Sequence, residues 1–278
     1  MNSNILEVQE IDFYYLDGTK AINDLSLQIP RGKKIAVIGN NGAGKTTLFL
    51  HFNGVHRPQR GKVLYKGELV DYNRAQLKNI RKNIGIVFQD PDNQLFSASV
   101  YQDISFGPVN LGWSEDIIRG KIEEIMKLTG IWELRDKPTH SLSHGQKKRV
   151  AIAGVLAMEP EVIILDEPTA GLDPIYTNQI MQLLNEFNKS GATVIISSHN
   201  IDEVYAWADY VFVMNSGMII AEGRPEEVFC MEDVLHKANL IKPWVLEFYK
   251  ELVLAGKISA QKDIPKTRQE IIKMIRDF

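Results

Sequence analysis

The chain has 278 residues, 44% of them hydrophobic and 24% charged, with a net charge of −3. That balance excludes wholesale disorder and a collagen-like fibre, allows one or two domains with an ample core, and counts against a dedicated nucleic-acid binder. The longest apolar stretch, 150–158, falls far short of the ~20 residues of a membrane span, no secretory leader is visible at 1–4, and the lone Cys230 fits a reducing compartment. Any membrane role is therefore expected through a partner.

In chain order, residues 5–29 alternate loosely between apolar and polar around a turn at Asp17-Gly18, which predicts a small antiparallel β layer. A short buried strand is predicted at 34–39, a helix at 45–52, and strands at 62–65 and 84–89. Helices follow at 114–129, carried by Ile117, Ile118, Ile122, Ile125, Met126 and Leu128, and at 143–158, ending before Pro160. Then come a strand at 161–165, a helix at 177–189, a strand at 193–197 and a helix at 202–207. Residues 210–214 and 218–221 flank Asn215-Ser216-Gly217, a hairpin signal. Strands alternating with helices predict an α/β fold with a parallel-sheet core, and the helices at about 90–158 read as an insertion in it. The tail after Gly223 reads as helical, a separate small lobe at 224–278. Within it Thr267 to Glu270 form a capping box, before an apolar face of Ile271, Met274, Ile275 and Phe278.

Three stretches carry chemistry. Gly39-Asn40-Asn41-Gly42-Ala43-Gly44-Lys45-Thr46, followed by Thr47, fits the phosphate-loop pattern between a predicted strand and a predicted helix. Glycines let the backbone wrap an anion, and amide N–H groups face it at the helix start. Lys45 supplies positive charge, and the Thr46 hydroxyl suits Mg²⁺. The run Val162 to Pro168 is an apolar strand ending in Asp166 and Glu167. Beside a phosphate loop, Asp166 suits a Mg²⁺ partner, and Glu167 suits a base that polarises water for in-line attack on the γ-phosphate of ATP. Leu142-Ser143-His144-Gly145-Gln146 lies between them. Taken alone it is an S-x-x-Q capping box for the next helix.

Together, over roughly residues 5–223, these motifs resemble the nucleotide-binding subunits of ATP-binding-cassette (ABC) transporters. The resemblance implies a P-loop ATPase with a RecA-like parallel-sheet core, an N-terminal antiparallel β subdomain, an inserted helical subdomain and a small C-terminal lobe. It makes Leu142 to Gln146 the family signature, with His144 where a glycine usually stands. Gln89 becomes the Q-loop glutamine and a Mg²⁺ partner, Asp173 the D-loop aspartate, and His199 the switch histidine. Tyr15 takes the adenine-stacking place, with Tyr14 as the adjacent alternative. Such subunits pair head to tail, so Ser143, Gly145 and Gln146 would face the partner's nucleotide. The stretch 89–96 further resembles the energy-coupling-factor (ECF) group, particularly its cobalt- and nickel-type ATPases. That implies a peripheral subunit on the cytoplasmic side of the cell membrane. Its partners would be a transmembrane coupling protein, against which Leu95 and Phe96 would be anchors, and a substrate-binding membrane subunit. The ATPases would form a homodimer or a heterodimer. The cargo would be a cobalt or nickel ion or a vitamin, and the histidines show no metal-ligand spacing within the chain.

Rival readings fare worse. A soluble ABC ATPase working on nucleic acid or ribosomes usually carries two cassettes or a long coiled coil. A non-hydrolysing regulator leaves Asp166, Glu167 and His199 unexplained, and a small-molecule kinase leaves 142–146 unexplained. The basic end of the tail suggests a dimerisation lobe built on Ile271, Ile275 and Phe278. The competing expectation is a helix folded back on its own core.

Overall fold

The computed structural model describes residues 3–259 and 264–276. Two sheets form. The first is antiparallel, in the order β2 (Lys20–Pro30), β1 (Asn4–Tyr14), β4 (Arg60–Tyr65), β5 (Glu68–Leu69). It is the predicted N-terminal layer. The second has the order β10-β9-β3-β8-β7-β6. Here β9 (Tyr210–Asn215), β3 (Lys34–Ile38), β8 (Thr193–Ser197), β7 (Val162–Leu165) and β6 (Ile84–Val87) run parallel. Only β10 (Met218–Gly223) returns antiparallel, through the predicted hairpin.

The parallel strands are buried on both faces, so their apolar residues run on without a polar alternate. On β3, Ala36 and Ile38 face one hydrophobic cluster while Ile35 and Val37 face the other. One face is covered by the antiparallel layer and by α1 (Lys45–Phe52), through Leu48, Phe49 and Phe52. The other is covered by the remaining large helices. These are α3 (Val100–Asn110), α4 (Glu115–Leu128), α5 (His144–Leu156), α6 (Pro174–Lys189) and α7 (Ile201–Trp207).

Two helices were not predicted. In α2 (Arg74–Asn83) only Ile80 is buried, so no apolar stripe marks it, although the Asn73 side chain caps it by accepting from the Gln76 N–H at 2.9 Å. α3 contains Gly107 and Pro108, which read as helix breakers. α6 starts three residues before the predicted helix, because Asp173 caps it and Pro174 opens it. On α4 the buried stripe is narrower than its sequence suggests, with Ile117 and Leu128 exposed.

The tail folds back onto the core. Helices α8 (Pro225–Val228), α9 (Glu232–Lys237), α10 (Trp244–Leu254) and α11 (Arg268–Arg276) bring Val228, Phe229, Leu235, Leu246 and Ile271 into the cluster that holds the strand residues Ala36 and Val194. The Tyr205 hydroxyl on α7 donates to the Pro265 carbonyl at 3.2 Å. The predicted capping box forms, with reciprocal 3.3 Å bonds between Thr267 and Glu270. Of the two expectations for the tail, the helix folded back on its own core accounts for Ile271, which is buried, and Met274, which packs beside it, and Ile275 is left on the surface. Phe278 lies outside the described residues. Helical periodicity marks an apolar face without saying what covers it.

His51 shows how tightly α1 is seated. Its ring is fully buried, and Nδ1–H donates to the Thr47 carbonyl at 2.7 Å. Its Nε2 has no partner among the described residues. Burial pushes its pKa down to about 4, with His56 nearby adding to the fall.

Two predictions follow from this packing. Ile271→Ala should lower unfolding stability in urea by about 2–4 kcal/mol, whereas Ile275→Ala should change it by less than ~0.5 kcal/mol. Unfolded His51 gains its proton near pH 6.5 and folded His51 near pH 4, so the stability from the neutral ring is complete above pH 6.5 and lost as pH falls toward 4. The His51→Leu chain should therefore lose about 2 kcal/mol less than wild type between pH 7 and pH 5, read from paired denaturation curves.

Candidate active site

The loops leaving the C-terminal ends of β3, β7 and β8 meet at one edge of the large sheet, where ligand sites of open α/β sheets lie. They enclose a cavity of about 390 Å³ lined by Tyr15, residues 41–47, Gln89, Asp166, Glu167 and His199, with Thr19, Lys20 and Ala21 along its rim.

Glycine is required at two points of the phosphate loop. Gly39 has φ +147° and a Cβ there would lie 2.0 Å from the Met214 carbonyl oxygen. Gly44 has φ +101° and its Cβ would lie 2.5 Å from the Ala21 carbonyl oxygen. Gly44 is also the N-cap of α1, and no side chain caps that helix, so its first N–H groups face the cavity uncapped. Lys45 is buried, and its ammonium donates to the carbonyls of Gly39 at 2.7 Å and Asn40 at 3.0 Å. Burial lowers its pKa, opposed by the charges of Glu167 and Asp166.

Asp166 and Glu167 are buried at the end of β7. The Thr46 hydroxyl donates to Asp166 Oδ2 and the Ser197 hydroxyl to Oδ1, both at 2.5 Å. Ser197 Oγ in turn accepts the Glu167 N–H at 2.9 Å. Glu167 has φ +51°, a left-handed conformation that costs an L-residue about 1–3 kcal/mol and marks a held site. The His199 N–H donates to Glu167 Oε2 at 3.3 Å. His199 Nε2 lies 3.3 Å from Oε1 but without hydrogen-bond alignment, leaving Oε1 with no hydrogen bond among the described residues.

Tyr15, not Tyr14, lines the cavity. Its hydroxyl lies 2.8 Å from Thr47 Oγ1, and its ring meets Phe13 edge-on at 5.3 Å. Ser143, Gly145, Gln146 and Asp173 lie outside this cavity. Ser143 and Gln146 form the capping box of α5, with bonds of 3.0 and 3.4 Å. Asp173 caps α6 by accepting the N–H groups of Ile175 and Tyr176 at 2.9 and 3.0 Å. Within one chain Ser143, Gln146 and Asp173 thus serve as helix caps.

Three residues of this centre were not singled out by sequence. Ser197 ends β8 and links the Asp166 carboxylate to the main-chain N–H of Glu167. Lys148 is fully buried on α5 and donates to the Glu167 carbonyl at 2.6 Å. Glu203 on α7 accepts from the Thr169 hydroxyl at 3.1 Å, and burial, with the nearby Glu167 charge, raises its pKa. A lysine and a glutamate on helix surfaces carry no sequence signal of burial.

Comparisons with known proteins agree with this geometry. Residues 22–170 match the ABC transporter family. An energy-coupling factor transporter ATP-binding protein, EcfA3, of Clostridium perfringens is 52% identical over 90% of both chains. An EcfA of Methanocaldococcus jannaschii is 44% identical over 98% of this chain and 99% of its own. An ABC transporter ATP-binding protein of Methanosarcina mazei is 47% identical over 98% of this chain, which spans 60% of that relative's length. Among solved structures, cbiO1 from Clostridium perfringens, part of the ABC transporter complex cbiONQ, is 54% identical, with TM-score 0.75 over 86% of this chain and 95% of that one. A dimeric cassette, MJ0796 bound to ADP and Pi, is 26% identical, with TM-score 0.73 over 79% of this chain and 98% of its own. The phosphate loop, the paired carboxylates and these likenesses together place the chain in the ABC transporter ATPase family, among its energy-coupling-factor ATP-binding proteins.

Proposed function

We propose that this chain is the ATP-hydrolysing subunit of an ECF-type importer, working as a head-to-tail dimer with a second copy or a related ATPase. The observation that carries the reading is the convergence of Lys45, Thr46, Asp166 and Glu167 on one cavity at the sheet edge. Loop amides and Lys45 hold the phosphates, and Tyr15 offers its exposed ring to adenine. Glu167 takes a proton from the attacking water through Oε1, and His199 orients the γ-phosphate. Positioning and charge stabilisation supply most of the rate. Ser143, Gly145 and Gln146 reach the partner's nucleotide from the start of α5, whose helix dipole favours an anion there. Asp173, the N-cap of α6, closes the loop that follows Glu167.

The residues also fit a Mg²⁺ ion. Thr46 Oγ1 and Asp166 Oδ2 lie 2.5 Å apart, and Gln89 lines the same cavity, giving the hard oxygen donors this cation prefers. When bound there, Mg²⁺ supplies charge neutralisation of the phosphates.

The membrane reading rests on a second surface. A cavity of about 810 Å³ lies between α2, the 94–96 segment, α3 and α5, lined by Leu77, Leu95, Phe96, Phe106 and Met158. Phe96 is exposed and meets Phe106 edge-on at 4.8 Å, while Leu95 is partly buried against the core. The two expected anchors thus divide, and Phe96 is the one offered outward. Arg74, Lys78, Arg81 and Lys82 edge the groove. An apolar segment of a transmembrane coupling protein fits this combination. No helix among the described residues is long and apolar enough to cross a membrane. The cargo, a cobalt or nickel ion or a vitamin, follows from the ECF resemblance and would be bound by a separate membrane subunit. Peripheral attachment at the cytoplasmic face belongs to the same reading.

Glu167→Gln should retain ATP binding, lower turnover about 10²–10⁴-fold and accumulate an ATP-dependent dimer by sedimentation. Unchanged turnover would remove Glu167 from its role. A tagged chain isolated from membranes should carry a multi-span protein that stimulates hydrolysis, and Phe96→Asp should reduce its recovery about tenfold. Recovery of ribosomes or nucleic acid in its place would overturn the transport reading.

A further inference from the structure

Two consecutive lysines on the first turns of α5 grip different loops. Lys147 places its ammonium 2.6 Å from Asp92 Oδ1, in the turn that follows Gln89. Lys148 turns inward. It is 0% exposed, and its ammonium donates to the carbonyls of Glu167 at 2.6 Å and Ala170 at 3.3 Å. No other charged side chain among the described residues is buried so completely.

A buried ammonium is costly unless its donors are used, and a methionine could fill the same space without that cost. Packing alone therefore does not explain a lysine here. What it holds does. Glu167 has a left-handed backbone, and the groups around it fix that conformation on both sides. Ser197 Oγ accepts its N–H and Lys148 donates to its carbonyl. The Ala170 N–H also reaches the Glu167 carbonyl at 3.3 Å, so the lysine closes a tight turn directly after the carboxylate.

The same end of α5 lies along that turn. A Cβ at Gly145 would be 3.2 Å from Leu172 Cδ2, and a Cβ at Gly171 would be 3.7 Å from the His144 ring. From His144 to Lys148 the helix therefore rests on the loop that begins at Glu167.

We infer that Lys148 is a positioning residue for ATP hydrolysis: it ties the main chain of Glu167 to the helix whose start faces the partner's nucleotide. The inference rests on the proposed role of Glu167 and on head-to-tail pairing. Glu167 serves the ATP on its own phosphate loop, while Ser143 to Gln146 serve the ATP on the other. Lys148 then joins the two composite sites inside one chain, and a shift of α5 reaches the catalytic carboxylate through a single hydrogen bond.

Steady-state hydrolysis by the full chain with Lys148→Met and Lys148→Gln tests this. Methionine matches the lysine stem without a donor; glutamine keeps a donor on a shorter reach. Lys148→Met should lower kcat about 10- to 100-fold, the scale of a misplaced catalytic group, with KM for ATP held within about threefold. Lys148→Gln should fall between it and wild type, again at constant KM. Wild-type kcat in Lys148→Met, or a KM that rises in step with the fall in kcat, overturns the inference. Should the methionine chain not fold, the glutamine chain decides by the same split between kcat and KM. Glu167→Gln assayed alongside separates the two readings. If it hydrolyses ATP as wild type, the role of Glu167 fails. If it is inert while Lys148→Met is unimpaired, only the role of Lys148 fails.

Discussion

The parallel pairing of β3, β8 and β7 is the constraint on which the site depends. Val37 lies opposite Ser197, and Leu165 opposite Ile196, so three strands end at nearly the same height. The chain must reverse at each of those ends. The three reversals carry the phosphate loop, the paired carboxylates and the segment from Ser197 to His199. A one-residue slip in register would turn every strand side chain to the other face of a sheet buried on both sides. The two hydrophobic clusters forbid it, because each strand divides its apolar residues between them. Core packing thus fixes the relative heights of Lys45, Asp166 and His199 independently of the polar contacts among them.

Polar contacts then refine what packing has set. Asp166 accepts hydroxyl donors from two different elements, Thr46 at the start of α1 and Ser197 at the end of β8, and its own N–H reaches the Val87 carbonyl at 2.9 Å. A buried carboxylate with both oxygens satisfied is an anchor. Glu167 differs. One of its oxygens has no hydrogen bond among the described residues, and its backbone is strained. Adjacent residues of the same type therefore have different duties, set by surroundings rather than by identity. The concentration of negative charge here also explains why Lys45 and Lys148 stand within it. Each loses solvation and gains the fields of Asp166 and Glu167.

The sequence exposed those parts of the site that need a special backbone or a special context. Gly39 and Gly44 are visible because no other residue fits beside Met214 and Ala21. Asp166 and Glu167 are visible because they end an apolar run. The strands, buried on both faces, announce themselves as continuous Val, Ile and Leu. Parts that depend on tertiary partners stayed hidden. α2 has only two large apolar residues, Leu77 and Ile80, and buries only the second, so its amphipathic pattern is too short to stand out. Ile271 and Ile275 look alike in a helical pattern, yet only one meets the core. Lys148 looks like any surface lysine, and its burial depends on the loop that α5 meets. Leu95 and Phe96 are adjacent apolar residues, and only the course of the chain decides which one turns outward.

His144 is the departure in the signature stretch that the fold makes intelligible. A bulky ring in place of a glycine should crowd whatever approaches the start of α5. The ring, though, lies beside Gly171, at a distance where an added Cβ would sit in ordinary van der Waals contact. That neighbour has φ +75° and no side chain, so room for the imidazole exists on its own chain. Meanwhile Ser143 keeps its extended backbone and its cap with Gln146, and the N–H groups of the first turn stay aimed out of the helix. Substitution at this one position therefore shifts bulk toward the loop after Glu167 and leaves the helix terminus open. Electrostatic attraction for an anion resides in a helix terminus and not in a side chain at this position, so His144 is compatible with the pairing proposed above, in which the start of α5 faces the partner's nucleotide.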